Sequence, residues 1–194
     1  IINCHLGQGG SVCAIQNGKS VDTSMGLTPL GGIVMATRSG DLDPSVLTYL
    51  MEKHELNARE METLLNKESG VYGVSGVSVD FRDIEVEAAS GDKYSQMALN
   101  IFHDSVAGYI AKYMVAMGGA DVITFTAGVG EKSPYSRSEI CKQLGVFGIE
   151  ISGKANLVKG EEAEISSPNS KVKVFVIPTN EELMIARETA ELVK

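Results

Sequence analysis

Apolar and polar positions alternate in short runs at the start of the chain, then settle into a helical period further on. Residues 1–6 and 11–16 are β-prone runs separated by glycines. Asn17-Gly18 is the dipeptide of a type I′ turn leading into a third strand, residues 20–25, so the opening predicts a β-meander. The pattern lapses over residues 26–43, which contain TPLGG and ATRSGDLD. A connector that long without periodicity points to function. Asp43-Pro44 supplies a cap and a first-turn proline for a helix over residues 44–54, and Asn57 caps a second over 58–66. Gly70, Gly73 and Gly76 interrupt the periodicity before Asp80 opens a helix running to Ala89.

Residues 93–117 form the longest helical stretch, with Phe102, Val106, Tyr109, Ile110, Tyr113 and Met117 on one stripe. DVITFT, residues 121–126, is an apolar strand running into AGVGEKS and a helix over 134–144. KVKVFVI, residues 171–177, is a last strand, followed by PTNEEL and a terminal helix to Lys194. Strands alternating with helices predict an α/β fold: a mixed β-sheet with flanking helices, the meander forming its antiparallel part. No internal repeat or low-complexity segment interrupts it.

The 194 residues suit one sizeable domain with a real core, or two small ones, and the single domain is the expectation. A formal charge of −8 excludes nucleic acid and anionic membranes as partners for the whole surface. An anionic small molecule would need a local pocket of donors. No apolar run reaches bilayer length and no signal-peptide pattern opens the sequence. Cys4, Cys13 and Cys141 are an odd set without metal-ligand spacing, which predicts reduced thiols and a cytoplasmic location. Cys13, Cys141, His54 and His103 are expected to be ordinary buried or surface side chains. The sequence starts in mid-strand at Ile1, as a piece of a longer protein would.

Three strand ends carry glycine or a helix cap in the manner of anion sites: HLGQGGS, TAGVGEKS and PTNEE. Without a Cβ the backbone can come into contact with a phosphate, so that successive N–H groups cradle its oxygens. Neither GxGxxG nor GxxxxGK[ST] is present. Arg38, in a glycine- and serine-rich loop just before a helix cap, can reach into a cleft and meet the charge of a transferring phosphoryl group. Glu181 and Glu182 suit the first turn of the terminal helix through its dipole, or one of them could hold Mg²⁺.

CHLGQGGSVCAIQNGKSVDTSMGLTPL, MATRSGDLDP, VSGVSVDFRDIE, FTAGVGEKS and VIPTNEELMIARET, in this order, resemble the acetate kinase family. The resemblance covers residues 1–194 but only about the C-terminal half of a family member. It implies a ribonuclease H-like, actin-like ATPase domain of the actin/Hsp70/sugar-kinase superfamily, here the nucleotide-binding and dimerisation domain. The implied reaction is transfer of a phosphoryl group between ATP or ADP and acetate or acetyl phosphate, with Mg²⁺. By position, His5, Leu6, Gly7, Gln8 and Gly9 would contact phosphates. Asp80, Phe81 and Arg82 would sit by the nucleotide, and Gly128, Val129, Gly130, Glu131 and Lys132 would hold the adenosine. Arg38 would stabilise the transferring group, and Glu181 would be linked to magnesium.

The resemblance also implies a homodimer, for which the helix from Lys93 is a candidate surface, a core helix being the alternative. The terminal helix, residues 181–194, is expected to dock on the missing N-terminal half. Gln8 and Lys132 each stand where the family usually has Asn, Gly31 where it has Glu, and Ala36 where it has Gly. These departures bear on affinity rather than identity. The family's acyl-substrate residues and catalytic aspartate have no counterpart here, so this chain alone is expected not to turn over. A propionate kinase of the same family and a non-catalytic nucleotide-binding or dimerisation module are the alternatives. An Hsp70-like ATPase would leave TRSGD and PTNEE without a purpose.

Overall fold

The meander forms as its pattern predicts. In the computed structural model, which describes residues 1–193, it comprises β1 (Ile2–Leu6), β2 (Gly10–Gln16) and β3 (Lys19–Thr23). Ile2, Cys4 and Leu6 on β1 and Val12 and Ala14 on β2 are buried, while β3 is exposed throughout. Asn17 and Gly18 both take positive φ, as a type I′ turn requires. Three later strands complete one six-stranded sheet: β4 (Val122–Thr126), β5 (Ala163–Glu164) and β6 (Lys173–Val176). Their order is β3-β2-β1-β4-β6-β5.

β4 runs parallel to β1 and β6 runs parallel to β4, so three strands end at the same edge. Register sets His5 opposite Thr126, which brings the glycine hairpin level with the end of β4. The crevice beyond the carboxyl ends of parallel strands is where open α/β sheets bind ligands.

The helices are α1 (Ser45–His54), α2 (Ala58–Lys67), α3 (Gly70–Ser75), α4 (Phe81–Ala89), α5 (Lys93–Ala116), α6 (Ala127–Lys132), α7 (Pro134–Gln143) and α8 (Glu181–Leu192). Caps explain most starts. Asn57 and Glu60 form a complete capping box on α2, Asp80 accepts the Arg82 N–H at 2.9 Å, and Asp92 accepts that of Ser95 at 2.6 Å. Helix α5 packs against α3, α4, α7 and the first two strands. Its stripe of Phe102, Val106, Ile110 and Tyr113 is buried, so α5 is the core helix of the chain.

Two helices arise where glycine-rich loops were expected. In α3 the tertiary structure supplies what propensity lacks. Val71 and Tyr72 donate their N–H groups to the carbonyls of Met35 and Ala36 at 2.9 and 2.8 Å. In α6 the Glu131 side chain folds back to accept the Ala127 N–H at 2.9 Å. Every residue from Glu181 to Val193 is exposed, and the expected end of α8 at Lys194 lies outside the described residues. No helix among the described residues is long and apolar enough to cross a membrane.

Candidate active site

The tip of the β1–β2 hairpin is built for close approach. The Gly7 N–H closes the turn on the Gly9 carbonyl at 3.0 Å. Among the described residues no protein acceptor takes the amides of Gln8 or Gly9. A cleft of about 580 Å³ opens beside this tip. Gly7 and Gln8 form one wall, and Val79 to Arg82 with Glu85 form a second at the start of α4. The α6–α7 corner supplies Gly128, Val129, Lys132 and Ser133, and Lys159 closes the rim.

Arg38 approaches the tip from the long loop. That loop is tied down at several points: Ala36 N–H donates to the Gln8 carbonyl at 3.0 Å, and Ser69 N–H to that of Thr37 at 3.0 Å. Asp41 accepts the Gly32 N–H at 2.8 Å on one oxygen and the Tyr109 hydroxyl on the other. Burial and this bond push the Tyr109 pKa up to about 12. The Arg38 guanidinium then lies against Gly9, where an added Cβ would stand 3.1 Å from Nη1. Nη1 also reaches the Pro29 carbonyl at 3.4 Å and the Met35 sulfur at 3.6 Å. No carboxylate pairs with Arg38 among the described residues, so its charge is available to a ligand at the tip.

Asp80 and Arg82 form an ion pair at the mouth, 2.5 Å between Oδ2 and Nη2, with Nε in reach of both carboxylate oxygens. The hydrogen bonds from Arg82 hold Asp80 down at about 2, and Asp80 in turn raises the pKa of Arg82. Phe81 has its ring in the core, 4.7 Å between centroids from Phe102. Leu6 is likewise a core residue, and His5 sits on β1 outside the cleft lining.

Gly130 and Glu131 do not line the cleft either; they build its wall. Arg137 donates to the Gly130 carbonyl at 2.8 Å. Glu131 Oε1 accepts from Thr179 N and Oγ1 at 2.8 and 3.0 Å as well as from Ala127. Through Thr179 the PTNEE turn is held at the same sheet edge. Glu181 is exposed there at the first turn of α8, outside the lining, with Asn180 capping that turn by accepting the Leu183 N–H at 3.1 Å. No group of three or more His, Cys, Asp or Glu gathers among the described residues.

Two polar features were not foreseen. Arg137 is completely buried, with Nε on Asn156 Oδ1 at 2.8 Å and Nη2 on the Asn156 and Val158 carbonyls at 2.7 and 2.8 Å. Burial lowers its pKa to about 10. Its partners lie elsewhere in the chain, so YSRSEI gave no sign of it. The second feature is a chain of side chains. The hydroxyls of Ser133 and Ser136 both bond to Glu85 Oε1, and His103 Nε2 meets Ser136 Oγ at 3.0 Å. Burial brings the His103 pKa down to about 4. Of these residues only Ser133 stands where a sequence pattern could have flagged it, directly before Pro134 at the start of α7.

Comparison with known proteins finds relatives over the whole chain. The acetokinase family model matches residues 1–187. The chain is 56% identical to an acetate kinase of Acetivibrio thermocellus and 57% identical to one of Thermosipho melanesiensis. It is covered completely in both, and spans 49% and 48% of their lengths. The crystal structure of Porphyromonas gingivalis acetate kinase superposes with a TM-score of 0.95 at 46% identity, over 100% of this chain and 49% of that one. A propionate kinase from Francisella tularensis gives 0.91 at 43% identity, over 96% and 48%. The chain thus spans about half the length of the relatives it matches and shares their mixed sheet with flanking helices. It belongs to the acetokinase family.

Proposed function

We propose that this chain is the nucleotide-binding part of an acetate kinase, catalysing ATP + acetate ⇌ ADP + acetyl phosphate. The observation that carries the reading is the unpaired Arg38 guanidinium lodged against Gly9 of the hairpin. The amides of Gln8 and Gly9 receive phosphate oxygens, and Arg38 meets the charge that spreads over the equatorial oxygens in transfer. An acetate oxygen bonds to the γ-phosphorus as its bond to the ADP oxygen breaks. Val129 offers the nucleoside an apolar surface, and Asp80 and Arg82 border the mouth. His5, Gly128 and Lys132 keep the supporting part the resemblance implies for them.

Magnesium fits the donor set. The ion takes one or two carboxylates together with water and substrate phosphates, and Glu181 is an exposed carboxylate at the same sheet edge. When bound it neutralises charge on the phosphate oxygens. The acid is bound by the part of the full-length protein beyond this chain, so the isolated chain does not turn over. On the same reading α8 docks on that part, which is consistent with its exposed Leu183, Met184 and Ile185. Pairing with a second copy is supported by a second, uncovered stripe on α5, namely Tyr94, Met97 and Ile101. Three unpaired cysteines suit the cytoplasm.

A propionate kinase is the second reading, favoured by the Francisella structure. Steady-state assays of the full-length protein decide between them by comparing kcat/KM for the two acids. In that protein Arg38→Ala is expected to lower kcat by about 10³-fold or more while nucleotide still binds. Undiminished transfer by the variant would overturn the assignment.

A further inference from the structure

Glu85 stands one helical turn beyond Phe81 on α4 and lines the cleft wall. Its hydrogen bonds are one-sided. Both serine hydroxyls donate to Oε1, and no bond among the described residues reaches Oε2. Ser136 has therefore committed its proton to Glu85, so the contact with His103 must run from Nε2–H to the serine oxygen. His103 Nδ1 is then left without a partner, as observed. Ser133 completes the set by accepting the Ser136 N–H at 3.0 Å. Every proton in the chain points toward Glu85, and the residues that deliver them are buried: His103 1% exposed, Ser136 0% and Ser133 7%.

The rest of the cleft offers mostly donors. Gln8 supplies an amide, and Lys132 and Lys159 supply ammonium groups that pair with no carboxylate among the described residues. Asp80 has both oxygens engaged by Arg82. Glu85 Oε2 is thus the carboxylate oxygen left to a ligand. The phosphates of a nucleotide need donors, whereas its nucleoside half carries donors of its own, the sugar hydroxyls and the exocyclic amine.

Resting on the reading of this cleft as an ATP site, we infer that Glu85 is a specificity-determining residue. It accepts a hydrogen bond from a donor group of the nucleoside. The serines and His103 are positioning residues that fix the carboxylate before the nucleotide arrives.

The test uses the full-length enzyme and four phosphoryl donors: ATP, its 2′-deoxy and 3′-deoxy analogues, and inosine triphosphate, which lacks the exocyclic amine. Wild type is expected to show KM raised about 10- to 100-fold for the analogue missing the group that Glu85 binds. A deoxy analogue would assign the bond to the sugar, and inosine triphosphate to the base. Glu85→Gln, whose amide oxygen can still accept from both serines, should raise KM for ATP and abolish that preference. Its effect should fall on nucleotide KM rather than on kcat or on acetate KM. Equal KM for all four donors in wild type overturns the inference with no variant needed. So does a Glu85→Gln or Glu85→Asp enzyme that melts like wild type and keeps the full preference. A wild type that uses none of the donors overturns the ATP reading itself, which is a different failure.

Discussion

Burial of His103 makes the stability of the fold depend on pH in the acid range. The His103 pKa falls from an ordinary 6.5 to about 4 because the ring is desolvated, with Asp104 on the same helix opposing more weakly. Between those two values the unfolded chain binds a proton that the folded chain refuses. The contribution is therefore complete above pH 6.5 and is lost as pH falls toward 4, by on the order of 3 kcal/mol. Asp80 acts in a lower window. Held at about 2 by Arg82, its contribution is complete above about pH 4 and disappears between 4 and 2. Exposure keeps that contribution small. Thermal midpoints measured from pH 7.5 to 4.5 should fall more steeply for the natural chain than for His103→Gln, whose amide can still bond to Ser136. Parallel curves would refute this account. None of it was visible in the sequence, where His103 stands between Phe102 and Asp104 with nothing to mark it and its partner Ser136 is 33 residues away. Arg38 and the hairpin were legible because their chemistry is written in consecutive residues.

At the scale of elements, short α3 serves to hold the Arg38 loop. Gly70 begins it at φ 64°, where an added Cβ would stand 2.3 Å from the Met35 carbonyl oxygen and 2.8 Å from that of Arg38. Gly70→Ala combines left-handed strain of about 1–2 kcal/mol with that clash. The variant of the full-length protein is expected to melt lower and to lose phosphoryl transfer through a displaced Arg38. Unchanged kcat would show that the loop does not depend on α3. Helices α2, α4, α5 and α7 were legible because caps and periodicity are local. The expected loops at α3 and α6 failed because carbonyls of residues 35 and 36 and the side chain of Glu131 hold those turns. Strand β5 has two residues, too few for any alternation to show.

Over the whole molecule, the sheet keeps one continuous core while α8 lies outside it with Leu183, Met184, Ile185 and Leu192 exposed. If α8 docks on the remainder of the full-length protein, its amides should exchange quickly in this chain alone and slowly in the complete protein. Equal rates in the two would remove that proposal. The parallel pairing of β1 with β4 has another consequence. Thr124 and Asn3, 121 residues apart, bond through their side chains at 2.6 Å across that pairing. Closing so long a loop costs entropy before any contact compensates, so folding of the sheet centre is slow relative to its local parts. The glycine hairpin can form in about 1–10 μs. The opposite cleft wall, which follows β4, joins it only when the distant strands meet. A newly made chain is therefore expected to acquire its binding edge late, once β4 has reached β1.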